Sequence, residues 1–428
     1  MSRSELHFDA VVIGAGTAGL TAGIRLAQGG ARVCVLAKGY GSTHLAPATI
    51  DVLGYAPELV QDPARALEEL IAARPDHPYA LLGSELIAEA VGWFGRTAAD
   101  GPLPGYGYTG GLERNQLLPT AVGALRPSAL VPDTMAAGER SQLQRVCIVG
   151  TRSLRDFHPS LCAANLESAG IQARPVSLDL KLERADMSAL GIARHFDDPA
   201  WRAQFCAELS LALRAEEHVG LPAMLGLLDP HAVWSDLEHR LGRRVFEIPT
   251  LPPSVPGMRL YEILRSALRA AGGRLVLGAE VVSSERDGGG RDRITAVSTR
   301  AAGRDLTYVA PWFVLATGGF ASGGIELDSQ WVTRDRVLGL PLRGVPGDGE
   351  PRFVSTYLDE QPLARVGVAV DAELRAEGAE NVIVAGAALP GAAPWREGSG
   401  EGIALASGYR AAQVAGAGST TTTEAARA

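Results

Sequence analysis

Apolar residues run without interruption from Ala10 to Ile13 and again from Val33 to Ala37, too short for helices and too continuous for a half-exposed strand. Between them, small and apolar positions recur at helical spacing from Ala18 to Gln28, and Gly29-Gly30 then breaks the pattern. The first 36 or so residues are therefore predicted to form a buried strand, a glycine turn, a helix and a second buried strand, a βαβ unit. A polar, glycine-containing loop follows, "AKGYGSTHLAPATIDVLGY", and an Ala/Glu/Leu-rich helical pattern begins near Pro63. A second strand–turn–helix unit centres on Val146–Val149, and an amphipathic helix is predicted over 195–216. The proline-rich stretch "IPTLPPSVPGMRL" stiffens the entry to a helix from roughly Met258 to Ala271, which Gly272-Gly273 stops. Further buried-strand patterns are "ITAVSTR", "PWFVL" and "NVIVA", and the last is followed by a glycine loop and a helix over 402–416.

This order predicts an α/β protein whose nucleotide-binding domain is discontinuous, built from residues 1–60 and 248–418. Residues 61–247 form a large inserted α/β cap, and 419–428, low in complexity, a disordered tail. A cap over such a domain places the site in the cleft between them.

The glycine turn is the strongest chemical signal. Gly14, Gly16 and Gly19 form GxGxxG between strand and helix, a spacing that lets the backbone turn tightly and aims helix N–H groups at a phosphate. Such a unit usually ends its second strand on an acid that holds an adenosine ribose. Here that position is Ala37, followed by Lys38. Two cofactors are compatible with the change: NADP, with Lys38 beside a 2′-phosphate, or FMN, which has no adenosine to hold.

The C-terminal pieces favour flavin. "ATGGF", with Thr317, Gly318 and Gly319, and "VAGAA…GSGEGIALASGY", with Gly386, Gly398, Gly400 and Gly402, resemble the segments that close around the cofactor in two-dinucleotide-type flavoproteins. The helix behind Gly398–Gly402 would direct its positive end at the ring, with Glu401 an acid near that end. In the early loop, Ser42 and Thr43 are candidate flavin contacts and His44 a candidate proton relay. Arg259, at a predicted helix start, is a candidate bidentate donor to a phosphate or a flavin carbonyl, and Arg365 a weaker one.

Composition removes other classes. A net charge of −8 without a basic block argues against a nucleic-acid partner. Cys34, Cys147, Cys162 and Cys206 lie far apart and support neither a disulfide framework nor a metal or iron–sulfur site. No basic start leads into a long apolar run and no apolar run reaches about 18 residues, so membrane contact is expected only through a partner.

The loop "GSTHLAPATIDVLG", together with "HPYALL", "VCIVGTRSLRDF", "LPAMLGL" and above all "IPTLPPSVPGMRL", resembles the B-subunit family of anaerobic glycerol-3-phosphate dehydrogenase, from about residue 9 to 414. The resemblance implies a Rossmann-like, two-dinucleotide-type flavoprotein with FMN as cofactor and FAD as the alternative. It further implies a catalytic FAD subunit and a membrane-anchoring iron–sulfur subunit as partners, and a cytoplasmic chain held peripherally at the inner face of the membrane by them. Such complexes oxidise sn-glycerol 3-phosphate to dihydroxyacetone phosphate and pass the electrons to quinone. Two alternatives accompany this reading, a structural subunit with a degenerate flavin site and a stand-alone flavin-dependent dehydrogenase or reductase. The chain departs from the family where Ala46-Pro47-Ala48-Thr49 replaces a Ser-Ser-Gly-Ser-like run, and where Ala387 stands in place of an Asp found in related flavoproteins.

Overall fold

The computed structural model describes residues 4–180, 182, 186–214, 217–287, 292–301, 304–347, 349–356 and 359–425. Its central sheet has six strands in the spatial order Arg274–Leu277, Val33–Ala37, Ala10–Ile13, Trp312–Leu315, Ala379–Val384 and Arg375–Ala376. The first five are parallel and the last pair antiparallel. Parallel strands need helical crossovers that cover both faces, which is why Ala10–Ile13 and Val33–Ala37 are apolar and buried at every position. The helix Thr17–Gln28 follows the first of these strands and packs against Val255–Ala270 and Gly400–Ala425, so the two ends of the chain meet over the glycine turn.

A second sheet joins Ser4–His7, Arg304–Val309, Ile294–Ala301 and Glu280–Arg286. The amide of Ala279 donates to the carbonyl of Ala37 at 3.0 Å, which brings the start of Glu280–Arg286 to the end of the second strand.

A third sheet is small and wholly parallel, in the order Val245–Ile248, His218–Pro222, Arg145–Thr151, Gln172–Leu178. Its helices Pro199–Ala212 and Pro230–Leu241 each open with proline in the first turn behind an aspartate, Asp198 or Asp229, whose side chain accepts from a backbone amide. That chemistry corrects one expectation: the helix predicted over 195–216 is two helices, Ala189–Phe196 and Pro199–Ala212, divided where Asp198 caps a new start.

The expected division of the chain at residues 60 and 247 is not where the cores divide. One core spans Ala137 to Val255. Leu67, Tyr79, Ile87 and Phe94, from helices within Pro63–Ala99, belong instead to the core of the central sheet. The helices Pro78–Leu82 and Ser84–Ala99 lie against Gly400–Ala425, which the sequence order alone sets more than 300 residues away, and Pro63–Ala73 packs on those two. The tail expected to be disordered over 419–428 continues this helix to Ala425, and 426–428 lie outside the described residues.

Candidate functional site

A cavity of about 530 Å³ opens at the carboxyl ends of the central strands. That is where open α/β sheets bind ligands, because the helix N-termini and the strand-order reversal leave a crevice there. Gly14 adopts a φ of 114°, and a Cβ on it would stand 2.1 Å from the carbonyl oxygen of Ala316, so the turn needs glycine for both conformation and space. Gly16 is different. A Cβ there meets nothing within 4 Å, although Gly16 lines the cavity. Packing within the protein makes no use of that open space, whereas a phosphate lying on the backbone does. Gly16 is also the N-cap of Thr17–Gln28, with no side-chain cap and no acid in the first turn, which leaves amide donors and the positive helix end for an anion.

Of the residues singled out from sequence, Gly14, Gly16, Lys38 and Ser42 line this cavity on one side. Thr317, Gly318, Gly386 and Gly400 line it on the other. Glu401, in the first turn of Gly400–Ala425, lines it as well, with its Oε2 buried and lacking a hydrogen-bond partner. Burial, and then the Asp51 carboxylate, push the Glu401 carboxyl up to about 7, against the opposing influence of the Thr17 hydroxyl and Arg126.

The remaining candidates serve the walls rather than the cavity. Gly19 lets the helix approach the turn, since its Cβ would lie 2.0 Å from the Gly14 carbonyl oxygen. Gly319 lies under the Ala387 carbonyl, where a Cβ would come to 2.8 Å. Gly402 is pressed against Tyr79 Oη and Val52, at 2.3 and 2.8 Å from a Cβ, and Gly398 caps the short helix Pro394–Glu397 in a left-handed conformation. Thr43 is 1% exposed, turned into the packing of the Gly41–His44 turn on the helix Val255–Ala270.

The two candidate catalytic residues also leave the cavity. His44 stacks on Tyr40 at 4.4 Å between ring centroids and meets Tyr261 edge-on at 5.0 Å; burial lowers its pKa. Arg259 is 2% exposed and forms a bidentate pair with Glu247, Nη1–Oε2 2.6 Å and Nη2–Oε1 3.0 Å. It also donates to the Gly226 carbonyl through Nε and Nη2. Four of its five N–H donors are so engaged, and Arg259 is not among the residues that line the cavity. Arg365 donates to the Gly391 carbonyl at 2.6 Å and pairs with Glu360.

These placements explain what the long motifs do. "LPAMLGL" supplies the Leu225 amide to Glu247 Oε1 at 2.8 Å and the Gly226 carbonyl to Arg259, while "IPTLPPSVPGMRL" supplies Arg259 and the N-cap Ser254. The amide of Ser254 donates to the His44 carbonyl, which ties the small parallel sheet to the early loop. "HPYALL" works from the other side: Tyr79 Oη donates to the Val52 and Ser399 carbonyls, and His77 Nε2 lies 3.2 Å from Glu397. The early and late loops are thereby fixed to each other beside the cavity.

Two charged residues of the cavity wall, Glu280 and Arg336, carry no signal in the sequence. Glu280 Oε1 accepts from Lys38 Nζ at 3.1 Å and from Arg336 Nη2 at 2.9 Å. No local spacing pairs residues 242 and 56 positions apart. The Ala279–Ala37 backbone bond brings Glu280 to Lys38, and the return of the chain at residue 336 brings the second cation.

Turn, cavity and converging glycine loops define a dinucleotide-binding protein of the flavoprotein class, and a family model described as an FAD binding domain matches residues 9–403. The B subunit of anaerobic glycerol-3-phosphate dehydrogenase from Yersinia enterocolitica is 32% identical over 419 residues, covering 94% of this chain and 96% of that protein. The corresponding B subunit from Pectobacterium carotovorum is 31% identical over 423 residues, covering 95% and 98%. A solved 3-ketosteroid Δ1-dehydrogenase from Sterolibacterium denitrificans superposes with a TM-score of 0.47 at 12% identity, covering 96% of this chain and 100% of that one. The chain belongs to the FAD binding domain family and to the B-subunit family of anaerobic glycerol-3-phosphate dehydrogenase. It is thus a flavoprotein of an oxidoreductase family. FMN as its primary cofactor finds no support in the family match, which describes an FAD domain. Among the described residues no helix is long and apolar enough to cross a membrane.

Proposed function

We propose that the chain binds FAD and serves as the electron-relaying B subunit of an anaerobic glycerol-3-phosphate:quinone oxidoreductase. The single observation that carries the cofactor assignment is the open space over Gly16 at an uncapped helix start, continuous with a cavity that reaches the end of the second strand. FAD has a diphosphate for the first and an adenosine for the second; FMN uses only part of that length. Gly14, Gly16 and the first turn of Thr17–Gln28 would hold the diphosphate. Thr317, Gly318, Gly386 and Gly400 would border the flavin half. The bound flavin supplies the two-electron acceptor that the side chains lack. The chain's own part is to bind, orient and shield it.

Near-full coverage of the B-subunit relatives supports the assignment to that complex. A catalytic FAD subunit and an iron–sulfur subunit as partners, and a peripheral place at the inner face of the cytoplasmic membrane, follow from the same reading. Acid release from the purified chain followed by mass spectrometry is expected to yield FAD. Release of FMN or NADP, or no flavin uptake at micromolar concentration, overturns the cofactor assignment. The relay is tested separately by reconstituting glycerol 3-phosphate:quinone activity with the partner subunits.

One observation favours a scaffold that does not turn over: the buried Oε2 of Glu401, without a hydrogen-bond partner at the cavity wall. Full electron flow in a complex in which this chain carries Gly16→Val and binds no flavin would establish that reading instead.

A further inference from the structure

An acid from a distant part of the chain stands beside the end of the second strand. Residue 37 is alanine, yet the amide of Ala279 is bonded to the Ala37 carbonyl, which sets the next residue, Glu280, alongside Lys38. Glu280, Lys38 and Arg336 all line the cavity. Lys38 and Arg336 both donate to the same oxygen, Oε1, at 3.1 and 2.9 Å. Among the described residues no hydrogen bond falls on Oε2.

We propose that Glu280 is the ribose acceptor of this site, taking the adenosine 2′- and 3′-hydroxyls of an adenine dinucleotide in place of the acid that Ala37 lacks. The inference rests on the reading that the cavity holds FAD. A carboxylate accepts hydrogen bonds with two oxygens, so one can be held by cations while the other receives a ribose hydroxyl. Two cations on Oε1 fix the orientation of a side chain that is 30% exposed and would otherwise sample several rotamers. The Lys38 ammonium also holds the Glu280 carboxyl below its ordinary range, so it stays an acceptor at neutral pH.

The same geometry selects against NADP. A 2′-phosphate at this point faces the Glu280 carboxylate, and the two cations that would attract it are already occupied by that carboxylate. Lys38, which the sequence offers as a phosphate-binding residue, is instead a holder of the acid.

Isothermal titration of the flavin-stripped full chain tests this with FAD, ADP, 2′-deoxy-ADP, adenosine 2′,5′-bisphosphate and FMN. The wild type is expected to bind ADP roughly ten- to a hundred-fold more tightly than 2′-deoxy-ADP, as follows from losing a hydroxyl on a charged acceptor. Glu280→Gln should bring that ratio close to one and leave FMN binding unchanged. Lys38→Gln, which removes a holder and keeps the acceptor, should retain the preference for ADP. If Glu280→Gln keeps the full ADP preference, or if the wild type prefers the 2′,5′-bisphosphate, the assignment is wrong while the FAD reading stands. If the wild type binds neither FAD nor any adenine probe, both fall together.

Discussion

Arg259 and Glu247 face each other as a bidentate ion pair with side chains 1% and 0% exposed. Glu247 lies near the end of its strand in the small parallel sheet and Arg259 stands in the first turns of the helix Val255–Ala270, so the pair fastens that sheet to the helix. Removing one partner strands a buried charge, so Arg259→Met and Glu247→Gln are each expected to cost about 3–5 kcal/mol. The double variant Arg259→Met/Glu247→Gln should lose less than the sum of the two. Urea denaturation of the four proteins measures the coupling.

The glycine turn separates a folding requirement from a binding requirement. Gly14→Ala meets the Ala316 carbonyl at 2.1 Å from an unfavourable φ, and is expected to destabilise the fold by about 1–3 kcal/mol. The Cβ that Gly16→Val introduces meets no protein atom within 4 Å, and the unfolding midpoint of the flavin-free chain should stay nearly unchanged. Its FAD affinity should nonetheless fall by at least about ten-fold, since the branched side chain fills the space left for the diphosphate. Paired thermal melts and flavin fluorescence titrations distinguish the two effects.

Ala48 holds a φ of 68° while fully buried. A left-handed residue with a Cβ is strained by roughly 1–2 kcal/mol. Ala48→Gly is expected to shift stability by less than about 1 kcal/mol in denaturant titration, the released strain being offset by one lost buried methyl and by the backbone freedom of glycine.

Glu401 makes stability and ligand binding depend on pH. Its carboxyl is raised from near 4.5 to about 7, chiefly by burial, so between those values the folded state binds more protons than the unfolded one. Its contribution to stability therefore declines as pH rises from about 4.5 to 7, and the full penalty persists above that. Glu401→Gln should match the wild type near pH 4.5 and exceed it at about pH 8. Charge at the cavity wall also opposes a diphosphate. FAD affinity of the wild type is expected to fall between about pH 6 and 8, and that of Glu401→Gln to stay level over the same interval.

All four cysteines are buried, with thiols pushed up by desolvation to about 12 for Cys34 and Cys162 and about 11 for Cys147 and Cys206. At about pH 8 an aromatic disulfide reagent should label none of them in the native chain and all four in denaturant.

The sequence by itself determined the elements whose physics is local. Unbroken apolar runs at 10–13 and 33–37 gave strands buried on both faces, the glycine spacing at 14, 16 and 19 gave the turn, and Ser254 with its prolines placed a helix start within a few residues. Those signals depend on backbone geometry, which neighbouring residues fix. Tertiary structure alone decided which side chains share the cavity. Arg259 and His44 have the residue types of catalytic groups, but packing commits the one to Glu247 and the other to Tyr40 and Tyr261. Glu280 carries no local mark, and it reaches Lys38 only because Arg274–Leu277 pairs in parallel with Val33–Ala37 and sets Ala279 against Ala37. Pattern along a chain reports what each segment must bury, whereas the partner of a charge is set by register between strands that lie far apart in sequence.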